Sequence, residues 1–376
     1  MIAILRDIFR TNLGVKKNER CLVFTDRPSL EEEGDATESE RRSRLGCIAF
    51  LAAETGKCFA KEMILHEFPS TKSHGVEPPP ELWEKAFGKR AVAALRRKKI
   101  LDPILTKEAG EGDIAAAEEI ISRFRDDAVD AVVALSYYST SHTKFRDFLT
   151  RICGTRYASM PLFDVSMLEG PMNVDWKSLA QTAKRIAATV NKAEAIEINT
   201  PNGTHLSFSS QGRKALVDTG ILTRPGSFGN LPAGEVFLAP VEGSANGRLV
   251  IEWAPTRELK SPIALTVKNG FVRKITGEED FAILLSRRLE EREENRNIAE
   301  FGIGTNNMAK RPDNILESEK ILGTIHIALG DNSTFGGSTK TPFHQDFVFF
   351  KPTVTLLLKN GTKTILMKNG KFQEQR

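Results

Sequence analysis

At 376 residues, 40% hydrophobic and 27% charged, the chain has the composition of a globular protein too long for one ordinary core, which predicts two domains. Its 53 basic and 49 acidic residues leave a net charge of only +4, too little for a nucleic-acid surface. No run approaches the ~18 to 20 consecutive apolar residues of a membrane span, so neither nucleic acid nor membrane is an expected partner.

The start, "MIAILRDIFRTNLGVKKNE", scatters charges among apolar residues and lacks a small-residue cleavage site, so it reads as an amphipathic helix and not a signal peptide. Basic clusters at "RRSR" and "KRAVAALRRKK" read as solvated helix faces. Cys21, Cys47, Cys58 and Cys153 have no C-x-x-C spacing and apolar neighbours, which predicts buried free thiols in a reducing cytoplasm.

Residues 1–165 alternate apolar runs with helical patterns. "ERCLVFTD", "AKEMILHEF" and "DAVVALS" read as buried strands, and 38–56, 81–98 and 112–128 as helices. This alternation predicts an α/β domain with a mostly parallel sheet. No Gly-x-Gly-x-x-Gly follows a strand, so nothing points to a dinucleotide. The stretch 27–41 is expected to be loose, or a loop over a site. Tyr137, Tyr138 and His142 follow a strand end, where they could line a cleft or simply cap the strand.

A helix over 174–193 leads into a second domain, 166–376, with different patterning. The segments "EAIEINTPNGTHLSF", "GRLVIEWAP", "IALTVKNGFVRKI" and "TVTLLLKNGTKTILMKNGKF" predict mainly antiparallel β structure. Asn269-Gly270 and Asn360-Gly361 predict tight hairpin turns. One charged, solvent-facing helix is expected over 278–295.

Two of the six histidines, His326 and His344, fall in "GTIHIALGDNSTFGGSTKTPFHQDF". Residues two apart on a strand share a face, so His344 and Asp346 can reach one centre. Histidine with carboxylate is a donor set for divalent metals. Glu235 in "GNLPAGEVFLAP" and Glu300 in "NIAEFGIGTN" each open an apolar strand, where a buried acid needs a cation, hydrogen-bond donors or a raised pKa. A satisfied core histidine and exposed strand-edge acids are the alternative readings.

The segments "GNLPAGEVFLAPVEGSANGRLVIE", "AEFGIGTN" and "GTIHIALGDNSTFGG…FHQDFVF" closely resemble the thermophilic metalloaminopeptidases of the aminopeptidase S and T type, and their shorter leucyl aminopeptidase-like relatives. The resemblance extends over about 160–358 and implies that Glu235, Glu300, His326, His344 and Asp346 hold divalent zinc, cobalt or manganese. It further implies a hydrolase that removes N-terminal residues from peptides through a water activated by two ions, with Glu300 or Asp346 as the carboxylate that bridges the ions, in a homodimer. Ser333 stands where that family carries a tyrosine, and no residue has a clear claim to be the general base. The segments are also similar to an iron-dependent ring-opening dioxygenase acting on 2,5-dihydroxypyridine. That likeness would use His326, His344 and Asp346 to hold Fe(II), with a small-molecule substrate. A third possibility is a non-enzymatic member that uses the fold for binding.

Overall fold

The computed structural model describes residues 1–29, 32 and 36–373. The chain divides into two compact units, Met1–Trp176 with Gly220–Pro232, and Lys177–Thr219 with Ala233–Arg376.

In the first unit the predicted strands become the parallel strands Arg20–Arg27, Glu62–Pro69 and Ala131–Ala134. Arg156–Ser159 and Phe228–Asn230 extend the sheet, in the spatial order 62–69, 20–27, 131–134, 156–159, 228–230. Leu22, Phe24, Val132 and Tyr157 feed one core with Trp83, Phe87 and Phe145 from the helices. The helix expected over 81–98 is two helices, Pro80–Phe87 and Lys89–Arg97, because Gly88 between them takes φ +85°, outside the helical region. The helix expected over 112–128 stops at Arg123, and a short 3₁₀ turn over Arg125–Asp127 follows. Of the stretch expected to be loose, 36–41 begins the helix Ala36–Gly56, while 30, 31 and 33–35 lie outside the described residues. The N-terminal segment is helical over Ile2–Asn12 and buries Leu5, Ile8 and Phe9.

The second unit holds two antiparallel sheets. Eight strands run in the order 271–276, 257–268, 246–254, 205–209, 193–199, 353–358, 363–368, 371–372. A smaller sheet orders His344–Phe349, Ile325–Gly330, Ile298–Gly304, Glu235–Leu238 and Leu216–Asp218. Ile196, Ile198, Leu249 and Ile251 from the first sheet share a core with Phe301, Ile303, Ile325, Ile327 and Phe347 from the second. The α/β plus antiparallel fold class expected from the sequence is the one observed. Asn269 and Gly270 take φ 52° and 79°, the paired positive angles of a two-residue hairpin turn. Asn369-Gly370 makes the same kind of turn between Lys363–Lys368 and Lys371–Phe372. At Asn360-Gly361 only the glycine is positive, and a longer loop joins the strands. No helix among the described residues is long and apolar enough to cross a membrane.

The cysteines divide instead of all being buried. Cys21 is buried and its thiol is pushed up to about 12 by that burial, whereas Cys47 and Cys58 are exposed because they face outward from their segments. Burial also pushes the half-buried Cys153 thiol up to about 12. Native protein treated with a disulfide reagent at pH 8 should therefore lose two thiols quickly, at Cys47 and Cys58, with Cys21 modified only on unfolding. Mass mapping of the labelled peptides reads this directly, and fast labelling of Cys21 would contradict the burial.

Candidate metal centre

The five candidate residues lie on one face of the smaller sheet of the second unit. Along Ile325–Gly330, alternate side chains send Ile325, Ile327 and Leu329 into the core and turn His326, Ala328 and Gly330 the other way. Paired residues of antiparallel strands share a face, and the pairs are Asp346 with Ala328, Ala328 with Glu300, His344 with Gly330, His326 with Gly302, and Glu235 with Gly304. A bulge between Ile298 and Glu300 lets Ile298 and Phe301 both enter the core while Glu300 faces the cluster.

Small residues fill the gaps between the polar ones. A Cβ on Gly302 would sit 1.9 Å from His326 Nε2, so the imidazole occupies the space a side chain there would take. Glycine at 302 is thus a condition for the ring's position.

The distances define two compact groups that share one residue. His326 Nε2 lies 3.3 Å from Glu300 Oε1 and 3.4 Å from Glu235 Oε2. His344 Nε2 lies 3.5 Å from Glu300 Oε2 and 3.3 Å from Asp346 Oδ2. Among the described residues, donor atoms fall within 4.8 Å of one another in Glu235–Glu300–His326 and in Glu300–His344–Asp346. The set His326, His344 and Asp346 expected for iron is not one of these two, because Glu300 stands between the imidazoles.

Hydrogen bonds orient the rings. His344 Nδ1–H donates to the Asp331 carbonyl at 2.9 Å, which turns Nε2 toward Asp346 and Glu300. Glu235 and Glu300 are each 7% exposed and His326 is 1% exposed, so their charges are largely withdrawn from water. Burial alone would lower the His344 pKa, but the carboxylates of Asp346 and Glu300 outweigh it and hold the ring up at about 10. The same balance, led by Glu300 and Glu235, holds His326 at about 9. Burial pushes Glu235 upward, against the pull of Lys320 and His326.

Lys320 carries no signal in the sequence that marks it as part of the site. Its side chain is 1% exposed, with Nζ 2.6 Å from Glu235 Oε1 and 2.9 Å from Glu319 Oε2. The other oxygen of Glu235, Oε2, and His326 Nδ1 are buried without a hydrogen-bond partner among the described residues. Three carboxylates with two imidazoles, an orphaned oxygen and upward-shifted rings call for more positive charge than one ammonium supplies. The donor set fits a divalent ion.

Two aromatic rings also went unmarked. Phe237 shares the cluster's face, pairing with Gly302, and its centroid is 5.7 Å from that of Phe335. Phe335 in turn meets His344 edge-on at 6.0 Å. Its loop is tied down by Asn332, whose Nδ2–H donates to Glu242 at 3.1 Å. Ser333 is exposed and folds back onto its neighbour Asp331. Its N–H and Oγ–H both donate to the Asp331 carboxylate at 3.1 Å. Tyr137 and Tyr138 belong to the first unit, where their backbone N–H groups cap the carboxylate of Asp26 at the end of Arg20–Arg27.

Residues 166–372 match the sequence family described as NicX, 2,5-dihydroxypyridine 5,6-dioxygenase. No curated protein matches the chain in direct sequence comparison. Among solved structures, 2,5-dihydroxypyridine dioxygenase from Pseudomonas putida KT2440 is similar, with a TM-score of 0.63 and 18% identity, covering 100% of this chain and 97% of its own. Wild-type AmpT from Thermus thermophilus is similar at a TM-score of 0.58 and 15% identity, covering 99% of this chain and 98% of its own. At these identities the two structures bear on the fold alone.

Gly302→Ala should destabilise the protein by about 1–3 kcal/mol, since the added methyl overlaps the His326 ring. Gly46→Ala, in a helix with nothing within 4 Å of the new Cβ, should stabilise it by about 0.4–1 kcal/mol. Urea unfolding of the two variants reads both signs.

Proposed function

Because the chain belongs to the 2,5-dihydroxypyridine 5,6-dioxygenase family, we propose that it is a metal-dependent oxygenase that opens a hydroxylated aromatic ring. The observation that carries this reading, beyond membership, is the group Glu300, His344 and Asp346 lying beside the aromatic wall of Phe335 and Phe237. Those three residues would hold a ferrous ion, with carboxylate and imidazole donors of the kind such ions take. Bound there, the ion would supply the redox chemistry that lets dioxygen react with the ring.

The chain's own residues have distinct tasks. Phe335 and Phe237 offer ring faces and edges to a planar substrate, a contact worth about 0.5–1.5 kcal/mol for each well-placed aromatic pair. The Asp331 carbonyl fixes the tautomer of His344, so that Nε2 stays free to donate its lone pair. His326, with Nε2 3.3 Å from Glu300 Oε1, holds that carboxylate from behind and leaves Oε2 toward His344. The buried setting of Glu300 and His326 keeps water from competing for these contacts.

One observation favours a second reading, hydrolysis of peptides by a pair of ions. Glu300 directs one oxygen into each group, so its carboxylate would be within reach of both ions of such a pair. Here all five residues would be ligands.

The two readings separate in the test tube. Metal-free protein reloaded with Fe(II) should consume oxygen when given 2,5-dihydroxypyridine, and the same protein with Co(II) or Mn(II) should leave leucyl-p-nitroanilide intact. Hydrolysis of the anilide without oxygen uptake would reverse the assignment. His344→Ala and Asp346→Ala should each weaken divalent-metal binding by more than about 100-fold, beyond the 10–100-fold typical of residues that only support a ligand. Elemental analysis after gel filtration reads this loss, and full metal retention would remove both residues from the ligand set.

A further inference from the structure

Lys320 is held where it is by backbone, not by chance of packing. Asn306 N–H donates to the Lys320 carbonyl at 2.8 Å, and the Lys320 N–H donates to the Glu317 carbonyl at 2.9 Å. Asn306 and Ile321 form a parallel bridge, and a Cβ on Gly304 would lie 2.0 Å from the Ile321 carbonyl oxygen. The segment therefore seats directly on the end of the central strand Ile298–Gly304, the strand that carries Glu300. Its ammonium is delivered to Glu235 Oε1, while the opposite oxygen of Glu235 faces His326.

We propose that Lys320 is a resident cation filling the Glu235 side of the cluster, and that its ammonium is what bars a second ion from the Glu235–His326 position. The inference rests on reading the cluster as a metal centre. A second ion beside Glu235 would lie next to a buried ammonium that cannot retreat into water, and like charges at such range repel strongly where water is excluded. Glu235 and His326 then serve to position Glu300 and Lys320, without touching the ion.

Titration of the metal-free protein with Mn(II), followed by electron paramagnetic resonance and elemental analysis, counts the ions. Wild type should bind one Mn(II) per chain, with any second ion at least about 100-fold weaker, and an uncoupled spectrum. Lys320→Gln, checked for fold by circular dichroism, should bind two and show spin coupling, while Glu235→Gln keeps one. Two tightly bound ions in wild type would overturn the proposal without any variant having to fold, as would a Lys320→Gln protein that stays at one. A count of zero would instead sink the metal-centre reading itself. Ring turnover plays no part in the count, so failure of the oxygenase reading would leave the result standing.

Discussion

Burying carboxylates without matching positive charge costs several kcal/mol per ion, and this protein buries Glu235 and Glu300 side by side with Asp346 close at hand. That requirement orders the surrounding structure. Lys320 meets part of it from one side, at 2.6 Å from Glu235, and the imidazoles of His326 and His344 press against what remains. The upward shift of both rings has the same cause: the cluster draws in whatever cation it can reach. A ferrous ion on Glu300, His344 and Asp346, as proposed above, would meet the same demand with chemistry attached.

The sheet makes such a cluster possible by giving each face a single purpose. Ile325, Ile327, Phe301, Ile303 and Phe347 hold the sheet onto the core, and the energy of that burial fixes the strand register. Once register is fixed, the residues between them have no freedom to choose a side. Ala328, Gly302 and Gly330 keep the opposite face shallow, so side chains from four strands can meet above it. The bulge at Ile298–Glu300 corrects the phase on one strand, without which Glu300 would point into the core.

Much of this was legible in the chain itself, and for physical reasons. Period-two alternation around His344 and Asp346 specified a shared face, and the structure brings their side chains to 3.3 Å. Asn269-Gly270 marked its turn because few other pairs tolerate two positive φ angles. The apolar runs in the first unit read as parallel strands because such strands are covered on both faces. Other features left no such trace. Lys320 in "ESEKILG" looks like any surface lysine, since its burial depends on backbone pairing with Asn306 far along the segment. Phe228–Asn230 is three residues long, too short for any periodicity, yet it closes one edge of the parallel sheet. Phe237 and Phe335 are ordinary apolar residues until the fold sets them beside His344. The place of Glu300 between the two imidazoles depends on a bulge that no local pattern announces.

The proposed chemistry depends on one ion sitting among Glu300, His344 and Asp346. Crystals grown with Mn(II) and measured near the manganese absorption edge test it most directly, because anomalous scattering locates the ion independently of any assumed ligand. A single peak is expected within coordination distance of those three residues, with Lys320 still on Glu235. A peak between Glu235 and His326, alone or as one of a pair, would contradict it.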